Sequence, residues 1–304
     1  MDAIVATDHP APPSGRRDLS IAHLGAGVCA VGLVVTWLVA ELVPSARAHD
    51  AAALQGFIDL GRPWVKTLAQ HILDVVTPLP CVVFGIAATL VALGRGRPRL
   101  ALLVPVLMIG PVLTSDTLKP LLAHAHDGIG PGRPLAAASW PSGHATATMA
   151  MVLIALLVVP RRARPGVAAL GAVFAVAVAF SLLTLAWHMP SDVIGGFLMA
   201  GLWISLGVAA LRWSERRWPT RSGRRAATRV GRALWERRAL AGAEALVPVA
   251  VLAGVVLAPV ALFLARPHRV ADFADTHRSL LLAAAVIAAV AASMISLLAA
   301  ALRR

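Results

Sequence analysis

The first stretch of the sequence that could do chemistry is Pro141-Ser142-Gly143-His144, at the start of an apolar run. Proline suits a first helical turn, whose amides have no partner within the helix. We therefore expect the amides of Ser142, Gly143 and His144 to bind an anion. Gly143 lets a phosphate approach the backbone closely, and the Ser142 hydroxyl adds a donor. His144 can serve as a general acid, because imidazole titrates near neutral pH.

The second stretch places His188 two residues before Pro190, with Asp192 four residues after the histidine. Pro190 predicts the start of a helix, and a carboxylate is favoured in a first turn. From there Asp192 can hold one ring nitrogen of His188 and leave the other as a base or nucleophile. Lys119 and Arg133 add positive charge nearby. An anion site with a nucleophile and an acid predicts phosphoryl transfer.

The elements that must position these residues are membrane helices. The chain has 304 residues, of which 58% are hydrophobic and 14% charged, with a mean hydropathy of +0.77. A soluble domain is only about 45–50% apolar, so a soluble enzyme, a disulfide scaffold and a disordered chain are excluded. The sequence predicts an all-α polytopic membrane protein with eight spans, near 21–43, 79–94, 100–118, 143–160, 166–187, 191–211, 245–265 and 279–301.

The orientation follows from the basic residues, which cluster on the cytoplasmic side of membrane proteins. Most of the 28 Lys and Arg residues fall on one side if both termini are cytoplasmic. All the chemistry-bearing stretches then face the extracytoplasmic side of the cell (plasma) membrane. The predicted organisation is a disordered cytoplasmic tail over 1–20, a six-span core over 21–211, a basic cytoplasmic loop over 212–240 and two additional transmembrane helices over 241–304.

Three other segments lead to expectations about the membrane. The first span is followed by Ala46-Arg47-Ala48, which is similar to a signal-peptidase site, but the apolar run is too long for a signal peptide and we expect a retained anchor. Residues 63–75 have apolar side chains at helical spacing. They predict an amphipathic helix, either on the outer membrane face or as a lid on the bundle. The arginine- and tryptophan-rich segment 212–238 is expected to contact anionic lipid headgroups, not nucleic acid.

The two stretches resemble the second and third signatures of the phosphatidic acid phosphatase type 2 superfamily, in its integral membrane lipid phosphatase branch. The resemblance covers roughly residues 21–211. It implies a six-helix lipid-phosphatase-like core, with the two C-terminal transmembrane helices as additions, and a metal-independent reaction without a cofactor. It also implies that His188 becomes a phosphohistidine and is oriented by Asp192.

The remaining roles follow residue by residue from the same resemblance. His144 would protonate the leaving oxygen, and Ser142 and Gly143 would hold phosphate oxygens. Lys119 matches the lysine of the first signature, and Arg133 matches its arginine.

The sequence departs from the family pattern at two positions. The gap between Lys119 and Arg133 is longer than in the family, which we interpret as a loop insertion that still lets Arg133 reach the site. The insertion contains His124 and His126, for which we expect no metal. In the third signature, Leu182 stands where the family has a phosphate-binding arginine.

The predicted function is a membrane lipid phosphatase that releases phosphate at the outer face. An isoprenoid diphosphate is the first expected substrate, and phosphatidic acid or phosphatidylglycerol phosphate comes next. A phosphotransferase with the same intermediate remains an alternative, as does a catalytically weakened lipid-phosphate-binding protein. The sequence leaves a homo-oligomer open.

Overall fold

The computed structural model describes residues 14–122, 139–218 and 267–302. Across these ranges the chain is helical, with no β-strand. The α-helices are α1 (Ser14–Leu42), α2 (Pro44–Asp59), α3 (Pro63–Asp74), α4 (Pro78–Gly94), α5 (Pro98–Leu121), α6 (Gly143–Val158), α7 (Arg164–Thr184), α8 (Pro190–Arg217), α9 (Pro267–Thr276) and α10 (Arg278–Ala301). A 3-10 turn over Arg161–Ala163 precedes α7.

Proline sets the start of most of these helices. Helices α2, α3, α4, α5 and α8 each have proline in their first position. Its fixed φ suits a helix, and its missing N–H would have had no partner there. Helix α6 begins differently, because Ser142 caps it with a side-chain oxygen that accepts the Ala145 N–H at 3.3 Å.

Five helices in the described ranges are long and apolar enough to cross a membrane, namely α1, α5, α7, α8 and α10. Helices α3 and α4 meet at an angle of 45° and together form a sixth candidate span. Helix α6 is apolar but has only 16 residues. The prediction of an all-helical, multi-pass membrane protein is thus confirmed. The number of eight spans stays a prediction, since the predicted span 245–265 lies outside the described residues.

Several predicted boundaries differ from the observed ones. Helix α1 begins at Ser14, so the end of the predicted disordered tail 1–20 is helical. Helix α8 continues to Arg217, into the predicted loop 212–240, most of which lies outside the described residues. Helices α2 and α9 were not predicted. The predicted amphipathic helix is α3, which packs against α7 as a lid on the bundle would.

The centre of the bundle is formed by α6 and α8. Nearly all of α6 is buried, from Ala145 to Val158. Helix α8 packs against α1, α5 and α6. Helix α10 packs against α2, α7 and α8, so the last described helix belongs to the same bundle as the predicted core.

Arginine side chains join the helices at one end of the bundle. Arg97 donates to the carbonyl of Leu157 at 2.6 Å, and Arg164 donates to that of Leu302 at 2.6 Å. Arg99 donates to the carbonyl of Ser214 at 3.0 Å. These carbonyls lie at the carboxyl ends of α6, α8 and α10, where cations are favoured. The candidate site lies at the opposite end.

Candidate active site

The turn between α7 and α8 carries the histidine–carboxylate pair. Nδ1 of His188 lies 3.3 Å from Oδ2 of Asp192, in the first turn of α8. The same oxygen accepts the backbone N–H of Met189 at 2.9 Å. Both side chains are largely buried, with 12% of His188 and 3% of Asp192 exposed. The pairing predicted for His188 and Asp192 is therefore present. It involves Nδ1 and not Nε2, the other ring nitrogen.

The start of α6 lies against the start of α8. The residue at which α6 begins differs from the predicted one. Pro141 does not enter the first turn, because Ser142 is the N-cap. The Ser142 amide donates to the carbonyl of Asp192 at 3.0 Å. This amide is therefore not available to an anion, contrary to the expectation from the sequence. Among the described residues, the first-turn amides that remain for an anion are those of Gly143 and His144.

Two glycines of α8 allow this close contact between the helices. A Cβ at Gly195 would lie 2.6 Å from Nε1 of Trp140. A Cβ at Gly196 would lie 2.6 Å from the carbonyl oxygen of Ser142, closer than any real Cβ contact. These positions require glycine because backbone and ring occupy the space of a side chain.

Helix α5 brings the predicted lysine to the same place. Nζ of Lys119 lies 2.7 Å from Oδ1 of Asp116, its partner one turn earlier. A Cβ at Gly143 would lie 3.4 Å from that Nζ and 3.5 Å from that Oδ1. The Ser115 hydroxyl donates to the carbonyl of Pro141 at 2.8 Å and ties α5 to the segment before α6. Lys119 thus stands beside the first-turn amides of α6.

The second imidazole completes the cluster. The ring of His144 packs against that of Trp187, with centroids 5.6 Å apart and planes tilted by 59°. His144 also lies within electrostatic range of His188, Lys119 and Asp116. The carbonyl of His144 accepts the hydroxyl of Thr148 at 2.7 Å, which orders the first turn of α6.

An apolar groove leads away from this cluster between α4 and α5. Its volume is about 820 Å³. One end is lined by Asp116, Lys119, Gly143 and His144, and the rest by apolar side chains that include Val82, Ile86, Leu90, Ile109 and Leu113. Several of these apolar side chains are more than half exposed, so the groove opens along the side of the bundle. This shape suits a molecule with one charged head and a long apolar tail.

Arg133 lies outside the described residues, as do His124 and His126. Leu182 is fully buried in the core, so an apolar side chain occupies the position of the missing arginine. No group of three or more His, Cys, Asp or Glu side chains placed to hold a metal occurs within 14–122, 139–218 and 267–302.

Sequence reasoning missed one acidic residue next to the site. Asp50 of α2 accepts the backbone N–H of Ser191 at 3.2 Å and its hydroxyl at 2.6 Å. Ser191 is the neighbour of Asp192. No motif could have revealed this contact, because Asp50 is 141 residues away from Ser191 in the sequence.

Comparison with known proteins gives a family match and a similar fold. Residues 81–217 match the model of the PAP2 superfamily. The fold is similar to that of a transmembrane PAP2 type phosphatidylglycerolphosphate phosphatase from Bacillus subtilis. The TM-score is 0.52 at 20% sequence identity, covering 64% of this chain and 98% of that one. No curated protein matches the chain significantly.

The family match includes the helices that form the candidate site. The match includes α5, α6, α7 and α8, which position His144, His188 and Asp192. The resemblance found in the sequence is therefore confirmed over residues 81–217, which match the PAP2 superfamily model.

Proposed function

We propose that this protein is an integral membrane lipid phosphatase that removes phosphate from a lipid phosphate or diphosphate. One observation carries the proposal, namely a polar cluster at the head of an apolar groove. Lys119, Gly143 and His144 line the polar end, and the remaining length can hold an acyl or isoprenoid chain. The PAP2 match supports a phosphatase of this general class.

The proposed reaction has two steps. Nε2 of His188 attacks the terminal phosphorus, the bond from that phosphorus to the ester or bridging oxygen breaks, and His144 gives a proton to the departing oxygen. Water then attacks the phosphohistidine, loses a proton to His144 and releases inorganic phosphate. Asp192 supports both steps, because its contact with Nδ1 keeps the ring oriented and stabilises positive charge on it.

Phosphate binding is assigned to cations and amides. Lys119 supplies one positive charge, and the amides of Gly143 and His144 point out of the start of α6. Arg133 is proposed as a further phosphate ligand. Ser142 is fully buried, and its hydroxyl already accepts an amide at the helix start. We therefore propose that it shapes the site and contacts phosphate only by donating its hydroxyl proton.

An isoprenoid diphosphate is the first proposed substrate, since such lipids present their phosphates to the outer face in bacteria. Phosphatidylglycerol phosphate is the second, because the similar fold belongs to a phosphatidylglycerolphosphate phosphatase. Both carry a phosphate head and a long apolar part that fits the groove.

The experiment that tests this proposal is phosphate release by the purified protein in detergent. The panel contains an isoprenoid diphosphate, phosphatidic acid, phosphatidylglycerol phosphate and a soluble sugar phosphate, each with and without EDTA. We expect release from at least one lipid, little from the sugar phosphate, and no effect of chelator. Loss of activity in EDTA that zinc restores would contradict the mechanism and point to His124 and His126. Release that depends on an added hydroxyl acceptor would favour a phosphotransferase.

A second candidate function is a lipid-phosphate-binding protein with weakened catalysis. The observation that favours it is Leu182, an apolar residue buried where the family has arginine. Losing one preorganised donor to a developing charge typically lowers the rate by about 10²–10³. Binding of the lipids in the panel without phosphate release would support this function over the phosphatase.

The orientation in the membrane gives a prediction of its own. We propose that the polar cluster of Lys119, His144 and His188 lies on the extracytoplasmic side. The opposite end of the bundle, which we call the arginine-linked end because Arg97, Arg99 and Arg164 join helices there, then lies inside. In a background without Cys29 and Cys81, a single cysteine at the exposed Gln70 should react with an impermeant thiol reagent on intact cells. A cysteine at Gly94, at the arginine-linked end of α4, should react only after lysis. The reverse pattern would place the cluster inside.

A further inference from the structure

The first turn of α8 is held from outside by a carboxylate of α2. Both carboxylate oxygens of Asp50 accept hydrogen bonds from the same residue. Oδ1 accepts the Ser191 amide and Oδ2 accepts the Ser191 hydroxyl. A first-turn amide has no partner within its own helix, so Asp50 supplies the partner that α8 lacks. Asp50 lies outside residues 81–217, in a helix that the PAP2 match does not include.

This contact joins a short chain of bonds that ends at the proposed nucleophile. Ser191 is flanked by Pro190, which begins α8, and by Asp192. The Asp192 carboxylate accepts the Met189 amide and lies 3.3 Å from Nδ1 of His188. The backbone carbonyl of Asp192 accepts the Ser142 amide. A shift of the first turn would therefore move both the His188 pair and the start of α6.

The surroundings of Asp50 are mostly unfavourable to its charge. Asp192 of α8 and Glu41 of α1 both act on it with like charge, while the Ser191 donors favour the ionised form. On the same helix as Asp50, His49 contacts α10, with its Nδ1 3.3 Å from the hydroxyl oxygen of Ser279. The charged residues of the other packed helices are distant or paired: Arg164 lies at the far end of α7, and Arg278 of α10 pairs with Asp275.

Burial and the two acidic neighbours raise the pKa of Asp50 from 3.8 to about 7. The folded protein thus holds this proton more tightly than the unfolded chain does. Asp50 contributes stability in its protonated form, and that contribution is lost as the pH rises from 3.8 towards about 7. Above about pH 7 the Asp50 carboxylate is ionised, and the free energy of unfolding is lower than at acidic pH.

We propose that Asp50 is a positioning residue that, as a carboxylate, fixes the first turn of α8 and with it the His188–Asp192 pair. This inference rests on the proposed phosphatase activity. Hydrogen bonds to an ionised acceptor are shorter and roughly twice as strong as neutral ones, so the first turn is held best when Asp50 is charged. Asparagine keeps the shape and one acceptor oxygen but cannot ionise.

The test compares wild type with Asp50→Asn across the pH range. The two proteins differ only at residue 50, so the ratio of their kcat values isolates Asp50. We expect equal kcat below about pH 6 and a wild-type advantage of about tenfold above about pH 8, with KM little changed, because only the charged acceptor strengthens the turn. Ser191→Ala removes one of the two contacts and should show the same pH dependence with a smaller amplitude.

A second readout separates positioning from a merely structural role. Asp50→Asn should melt at a higher temperature than wild type above about pH 8, because it removes a charge that destabilises the fold. Asp59→Asn, an exposed change on the same helix, should alter neither kcat nor melting temperature. A kcat ratio that does not change with pH, or a lower melting temperature of Asp50→Asn, would overturn this inference alone. A wild type that releases no phosphate at any pH would overturn the proposed function as well.

Discussion

Replacing His188 by alanine is expected to abolish phosphate release from any lipid that the wild type cleaves. His188 is the proposed nucleophile, and its neighbour in the cluster, His144, has another proposed task, the protonation of the leaving oxygen. Removal of the nucleophile from an enzyme with a covalent intermediate lowers kcat by more than about 10⁴-fold. Asp192→Asn should also be severe, because the His188 ring loses the group that fixes its tautomer.

A matched control for this change is present in the chain. His71 and Asp74 also form a histidine–carboxylate pair, with Nδ1 and Oδ2 3.6 Å apart, but both side chains are mostly exposed on α3. His71→Ala should therefore leave kcat unchanged. The measurement is steady-state phosphate release, with melting temperatures to confirm that each variant folds. Substantial turnover by a folded His188→Ala variant would mean that another residue is the nucleophile.

Replacing His144 by alanine is expected to give the second-largest loss, and the loss should depend on the leaving group. General acid catalysis contributes about 10²–10⁴-fold when the departing oxygen needs a proton. A lipid alcohol leaves poorly without one, whereas a nitrophenolate leaves readily as an anion. His144→Ala should therefore impair cleavage of phosphatidic acid far more than cleavage of a nitrophenyl phosphate.

The same two substrates provide the internal control. The ratio of the two kcat/KM values should change strongly in His144→Ala and stay constant in Lys119→Gln, since Lys119 is assigned to phosphate binding and not to proton transfer. An equal loss for both substrates in His144→Ala would contradict the role of general acid and assign His144 to binding.

Much of the site could be predicted from sequence because its contacts are local. His188 and Asp192 are four residues apart at a proline-initiated helix start, so the spacing itself brings them together. The sequence likewise placed Gly143 and His144 correctly in the first turn of α6. The long apolar runs revealed the membrane helices because few polar side chains interrupt them.

The parts that could not be predicted depend on contacts distant in sequence. Helix α2 is neither strongly apolar nor patterned, and its bonds from Asp50 to Ser191 follow only from the packed bundle. The use of the Ser142 amide by Asp192 likewise arises from the contact of α6 with α8, which Gly196 permits. One local feature also differed from the prediction: Ser142 is the N-cap of α6, so Pro141 lies before the first turn, because the Ser142 hydroxyl oxygen accepts a first-turn amide.

The departure at Leu182 has a physical consequence that the fold makes clear. Its side chain is fully buried within the apolar core. Restoring the family residue by Leu182→Arg would therefore place a guanidinium where apolar groups now pack. An efficient phosphatase would need the charge from elsewhere, and Arg133 is the proposed source.

The most direct measurement is a search for the phosphoenzyme on His188. Purified protein is mixed with a lipid substrate labelled in its phosphate, quenched in alkali within milliseconds to seconds, and digested for peptide mapping. A phosphohistidine survives alkali and is hydrolysed by acid. We expect the label on the peptide that contains His188 in wild type, a higher yield in His144→Ala with a nitrophenyl phosphate, and none in His188→Ala. Phosphate release at a normal rate with no label on that peptide, or with the label on another residue, would contradict the proposed mechanism.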